Sequence, residues 1–335
     1  MKRPSSWLVL GASLLIIVPL GALGVLWLGA SASLDRGYHH SAATRALPLT
    51  LPTPQNLLRI PAGQHTFRAR MAGAGGSRGN IILLHGFAES SAMWTPVMAA
   101  TAAAGYQVVA FDQRGYSPGA RPRGANQYGL ELLARDVRAV ARAMDFDSFH
   151  LIGQGWGARV GWRALLSDVR GIVTWTALSM PHPGALAEAL RTDPEQRRRN
   201  RYLRLLRTPW LAEQILAFNR FEILRETWWA GHSAAHIDEY LAILSEPGAL
   251  TAANDWFRAP VPALPAQQTA PAVPALLVWG NRDPFLSASA IRAHRRIVGN
   301  RRTSELELTT GHKPLQSHPE LVTSAILKHL SADGG

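Results

Sequence analysis

The chain contains no cysteine. That absence excludes disulfides, thiol catalysis and thiolate-bound metal together, and any exported form must fold without covalent cross-links. Lysine is nearly absent as well: it occurs only at Lys2, Lys313 and Lys328, so arginine supplies almost all of the 35 basic residues. Charged side chains make up only 17% of the sequence against 47% hydrophobic, which excludes disorder of the whole chain and permits a sizeable core. The formal net charge is +12. No zinc-finger, RRM or comparable module accompanies that charge, and no basic stripe is interleaved with aromatics, so a nucleic-acid partner is not indicated. A length of 335 residues suits one large α/β domain carrying an insertion, two small domains being the other arrangement it allows.

The longest uncharged run lies at the beginning. After Lys2 and Arg3, the segment from Trp7 to Ala30 carries no charged side chain, enough to cross about 30 Å of hydrocarbon as a helix. Cations before the span favour an inside N-terminus and an extracytoplasmic remainder. Ala30-Ser31-Ala32 has the small-x-small form of a cleavage site, so a cleaved signal and a secreted product form the competing expectation. The sequence therefore divides into an anchor over 1–32, a polar linker over 33–53, and a folded region beyond.

In that region strand-like and helix-like patterns alternate. Asn80 to Leu84, Val108 to Phe111, Phe149 to Ile152, Ile172 to Leu178 and Pro274 to Trp279 are apolar runs bounded by turn residues, as in strands buried on both faces of a parallel sheet. Helical patterns cover Ser91 to Ala103, Leu130 to Met144, Ala158 to Leu166, Ser287 to Ile297 and Pro319 to Leu330. The alternation predicts an α/β fold with a doubly wound, mostly parallel sheet, its parts at 54–180 and 272–332 separated by a helical insertion over 181–271. The Gly-rich stretch from Ala72 to Gly79 precedes a strand rather than a helix, so it reads as a hairpin turn and not as a phosphate loop.

In open α/β sheets reactive groups gather where strands end. The segments found there are His85-Gly86-Phe87, Asp112 to Gly119, Gly153-Gln154-Gly155-Trp156-Gly157, Gly280-Asn281-Arg282-Asp283 and Gly311-His312. Taken in order over roughly Leu57 to Leu330, this set resembles the α/β-hydrolase superfamily. Asp112 to Pro122, Pro181-His182-Pro183 and Gly248 to Ala259 resemble its epoxide-hydrolase-like branch. The resemblance implies a strand-turn-helix elbow, G-x-(Ser or Asp)-x-G, followed along the chain by an acid and a histidine. The acid maps to Asp283 and the histidine to His312. The nucleophile maps to Gly155, which has no side chain and cannot form the ester intermediate of covalent hydrolysis. The resemblance also places oxyanion-hole donors at the backbone N–H groups of Phe87 and Trp156, and two cap tyrosines that hydrogen-bond the epoxide oxygen. Tyr202 matches the first of these, whereas Phe257 stands at the second and cannot donate. Ala88 replaces the usual proline after His85-Gly86-Phe87.

Two functional expectations follow. The first is a membrane-anchored pseudoenzyme with a capped pocket for a small lipophilic ligand, lined by Trp156, Tyr202 and Phe257. The second is an enzyme in which Asp283 orients His312 as a general base acting through water or on a substrate proton, without a covalent intermediate, worth about 10²- to 10⁴-fold. A scaffold docking through an Arg-rich cap is a third, weaker idea. Each site residue also has a plainer reading. Asp283 and His312 suit ordinary hydrogen bonding at strand ends, and Trp156 suits packing under the cap. His232 and His236 stand four apart on an expected helix, but with Ser233 where a zinc protease needs glutamate they read as a solvated face. The run Arg191, Arg197, Arg198, Arg199, Arg201, Arg204, Arg207 reads as a solvent-facing cap helix or as a contact for anionic lipid headgroups. No cofactor or metal site is read from the sequence.

Overall fold

The computed structural model describes residues 56–167, 169–260, 270–299 and 302–331. The expected membrane span and most of the linker lie outside the described residues, among which no helix is long and apolar enough to cross a membrane. The strands are β1 (Asn56–Ala62), β2 (His65–Ala72), β3 (Asn80–Leu84), β4 (Gln107–Phe111), β5 (Phe149–Gln154), β6 (Ile172–Leu178), β7 (Ala275–Gly280) and β8 (Thr303–Leu308). They form one sheet in the order β1-β2-β4-β3-β5-β6-β7-β8. β2 runs antiparallel to both neighbours, and every pair from β4 to β8 is parallel. β5 and β7 are buried along their whole lengths, as strands sandwiched between helical layers must be.

Core helices are α1 (Thr95–Ala103), α2 (Leu130–Ala143) and α3 (Trp156–Leu166). Between β6 and β7 the chain runs through α4 (Pro183–Thr192), α5 (Pro194–Arg199), α6 (Tyr202–Leu206), α7 (Leu211–Glu226), α8 (Ala234–Leu244) and α9 (Ala249–Arg258). It returns to α10 (Ala288–Val298), α11 (Pro314–Ser317) and α12 (Pro319–Ser331). α2 shows why these segments coil: buried Leu133, Ala134, Val137, Val140 and Ala141 recur at helical spacing, with Glu131 in the first turn and Arg142 in the last. The inserted helices are tied to the core by buried polar bonds. Trp229 and Trp256 donate their indole N–H groups to the carbonyls of Ala88 and Arg114, at 2.7 and 2.9 Å. Arg70 on β2 donates to Glu239 on α8 and to Ser91 Oγ at 2.6 Å, with Glu239 also accepting from Ser90 Oγ at 2.6 Å.

Strands β1, β2 and β8 were not read from the sequence pattern, and in β2 and β8 charge is the reason. β2 carries Arg68 and Arg70 inside the fold because Asp112 and Glu239 pair with them. β8 is an edge strand with exposed Glu305 and Glu307 among its residues, charge that keeps an edge from pairing with other chains. The expected hairpin over Ala72 to Gly79 is a correction: β2 pairs with β1 and β4, so this stretch carries the chain across β4 to β3. The hairpin turn lies instead between β1 and β2, at Gly63.

Candidate active site

The sharp bend after β5 sets the geometry. Gly155 holds φ 53° and ψ −113° between the last residue of β5 and the first of α3. Its N–H donates to the Leu178 carbonyl at 2.9 Å, and its carbonyl accepts from the Arg159 N–H at 3.0 Å. Two residues on, a β-carbon at Gly157 would lie 2.2 Å from the Leu84 carbonyl oxygen, so the absence of a side chain lets α3 start directly on the end of β3. At Gly155 the situation differs. A β-carbon there would stand 3.4 Å from His312 Nε2, an ordinary van der Waals contact. The backbone conformation, not space, favours glycine at this point.

His312 follows β8 and Asp283 follows β7. Their side chains meet at 2.7 Å, Nδ1 to Oδ2. Asp283 is buried and also accepts the Phe285 N–H at 2.7 Å through Oδ1. With Nδ1–H directed to the carboxylate, Nε2 is left as a proton acceptor facing residue 155. The loop bearing Asp283 is braced by α5. Arg199 Nη1 donates to the carbonyls of Asp283 and Leu286, and Gln196 donates to the Phe285 carbonyl and accepts from the Ser287 N–H. Arg199 is therefore turned inward, which corrects its reading as one more solvent-facing cation. Arg191, Arg197, Arg198, Arg201, Arg204 and Arg207 remain exposed.

Gly86, Phe87, Gly155, Trp156, Tyr202, Phe257 and His312 line a single chamber of about 60 Å³. The structure thus brings together every site residue expected from the sequence, with Asp283 behind the imidazole. The N–H groups of Phe87 and Trp156 have no protein acceptor among the described residues. Phe257 packs its ring edge-on against Phe87 and Trp156, with centroids 4.7 and 4.9 Å away. Tyr202 lies against Phe285, and burial, then the Asp283 charge, pushes its phenol pKa upward, so it stays a neutral donor. Ala88 donates its N–H to the Tyr116 hydroxyl at 2.8 Å, a bond that proline cannot make.

Further residues at the chamber were not read from the sequence. Ser179, the first residue after β6, has φ 56° and a buried hydroxyl without a partner among the described residues. Lys313 reaches from the chamber wall to Glu89, which is fully buried. Burial opposes the Glu89 charge, but Lys313 and His232 outweigh it and hold the carboxyl at about 2. So engaged, Glu89 is a buried counter-ion rather than a free nucleophile. His232 is itself a correction: it precedes α8, is buried 3.2 Å from Glu89 Oε1 and contacts the Tyr240 hydroxyl, whereas His236 contacts Thr95. Neither imidazole belongs to a solvated helix face. The signal for Ser179, Glu89 and Lys313 lay only in their positions next to strand ends.

A model of the alpha/beta hydrolase fold matches residues 79–319. The chain belongs to the α/β-hydrolase fold family. Human epoxide hydrolase 4 is 25% identical over 273 residues, spanning 78% of this chain and 75% of that protein. Mouse epoxide hydrolase 3 is 27% identical over 292 residues, 80% of this chain and 79% of the other. Among solved structures, an epoxide hydrolase from Bacillus megaterium in complex with an inhibitor superposes with a TM-score of 0.74 at 21% identity, covering 82% of this chain and 100% of that one. That likeness shows the α/β-hydrolase fold, and the relatives are epoxide-hydrolase-like.

Proposed function

We propose that this protein is a membrane-anchored, extracytoplasmic α/β-hydrolase-fold protein of the epoxide-hydrolase-like branch that binds a small lipophilic ligand and forms no ester intermediate. The observation that carries the reading is the bend at Gly155, where His312 Nε2 faces a residue with no attacking atom. In covalent hydrolysis a carboxylate or hydroxyl at that place attacks carbon and the histidine then activates water against the ester. Here the first of these steps has no reagent. Phe257 supports the same conclusion, since it leaves Tyr202 as a lone phenolic donor beside the chamber. The uncharged segment from Trp7 to Ala30, with two cations before it, supports the anchor.

A second reading rests on a specific observation, the assembled Asp283–His312 pair. Nε2 is free to take a proton from a water in the chamber or from an acidic substrate carbon, and the main-chain N–H groups of Phe87 and Trp156 are placed to receive developing negative charge. Incubation with epoxides, aryl esters and haloalkanes separates the two. No turnover and no covalent adduct by intact mass are expected for the ligand-binding protein. Turnover abolished by His312→Ala, still without an adduct, would establish the base mechanism, and an adduct on the unaltered protein would overturn both.

A further inference from the structure

The 60 Å³ chamber has room for a few waters or one functional group, so the body of any lipophilic ligand must lie elsewhere. A second cavity of about 290 Å³ adjoins it between α3, α4 and the segment from Asn200 to Arg207. Arg159, Met180, Leu186, Asn200 and Leu203 line both spaces, so they meet at a shared wall. The larger cavity is walled by apolar side chains, Trp162 and Leu190 among them, and its size is near the lower end for small-molecule sites.

Its charge is unusual. Neither lining set contains an aspartate or glutamate, yet Arg159, Arg163 and Arg207 border the larger cavity. Arg163 is paired with Glu131. Arg207, at the exposed side, donates Nε to the Phe257 carbonyl at 3.1 Å and has no acidic partner among the described residues. Arg159 stacks its guanidinium 4.7 Å over the Trp156 ring and likewise has no carboxylate partner among those residues. Burial lowers its pKa to about 10, with Tyr202 opposing the shift and Arg207 adding a smaller lowering. Arg159 is half-buried, so its guanidinium is only partly solvated, and a carboxylate matches its planar fork with two parallel hydrogen bonds.

Resting on the ligand-binding reading above, we propose that the ligand is an organic monocarboxylate with an apolar body, its acid group on Arg159 at the wall between the two spaces and its hydrocarbon in the larger cavity. The acid end thus points inward, toward the His312 chamber, and Arg207 adds attraction from the outer side.

The test is calorimetric titration of the full-length chain with octanoate and with 1-octanol, both below their aggregation concentrations, repeated on Arg159→Gln and Ala187→Trp. Octanoate is expected to bind at least tenfold more tightly than octanol. Arg159→Gln should erase that preference while leaving octanol binding within twofold, and Ala187→Trp, which fills the larger cavity, should weaken both. Equal affinities for the two ligands on the unaltered chain would overturn the carboxylate assignment while leaving a lipophilic pocket standing, a comparison that needs no variant to fold. Binding of neither would overturn the pocket as well. A preference for octanoate that survives Arg159→Gln in a variant with an unchanged melting curve would assign the head group to another cation.

Discussion

Placing a carboxylate at residue 155 tests the proposed reading most directly. Gly155→Asp must hold a non-glycine residue at φ 53°, where the strain amounts to about 1–3 kcal/mol. Contact adds little, because the new β-carbon would lie 3.4 Å from His312 Nε2. Each kcal/mol lowers Tm by about 2–4 °C in a domain of this size, so the variant should melt about 2–12 °C below the parent. Gly155→Ala isolates the strain and should fall within the same range. Chemically, the new carboxylate oxygen would attack an epoxide carbon, the carbon–oxygen bond of the ring would break, and the alkoxide would take its proton from Tyr202 or water. The adduct therefore carries the full mass of the epoxide. Intact-mass measurement on Gly155→Asp/His312→Phe, where no imidazole can activate water against the ester, should detect it; the slow rate expected reflects the missing donor at Phe257. If both single variants melt like the parent, residue 155 does not occupy a strained bend. If Gly155→Asp keeps its melting loss but never takes up epoxide, the proposal that the missing side chain at residue 155 is what bars covalent chemistry is refuted.

Other consequences follow from the same geometry. If any hydrolytic turnover is found, Asp283→Asn should lower it by about 10²- to 10⁴-fold, because the imidazole loses the partner that sets its tautomer; rate profiles against pH check this. Glu239→Ala strips the counter-ion from buried Arg70, and denaturant unfolding should show a loss of about 3–5 kcal/mol, the range for breaking a buried pair. Glu89, held at about 2 against an ordinary 4.5, is deprotonated in the native state where the unfolded chain has begun to bind protons. Its stabilising contribution is complete above pH 4.5 and is lost as pH falls toward 2, so Glu89→Gln should flatten that part of an acid-unfolding curve.

The parallel strands were legible because β3, β4, β5, β6 and β7 are apolar almost throughout, and the site was legible because loops at their ends carry recognisable short motifs. What escaped were elements whose charge is neutralised from a distance. Nothing near Arg70 in the chain announces that Glu239, on another helix, will accompany it into the core. Nothing near His232 announces Glu89, and its spacing from His236 suggested a common helix face where Ser233 in fact begins a new helix by accepting the His236 N–H at 3.3 Å. Arg199 could not be told from its neighbours in an arginine run because only its height on α5 brings it to the Asp283 loop. Long-range ion pairing has no local signature, whereas burial on both faces of a strand does.

The two unusual features of the site lie one helical turn apart. Residue 155 precedes α3, and the Arg159 N–H closes the first turn back onto the Gly155 carbonyl. Both residues border the chamber, so a carboxylate at 155 would bring negative charge toward the guanidinium as well as toward His312. With glycine there, the neighbourhood holds neither an attacking group nor a counter-ion for Arg159 among the described residues, and its net charge is one unit more positive than it would be with a carboxylate at residue 155. A neutral epoxide gains little from such a field, while an organic acid gains directly from it. Under the proposed function, the glycine at 155 and the unpaired Arg159 have one account: a site that holds an anion instead of attacking its ligand.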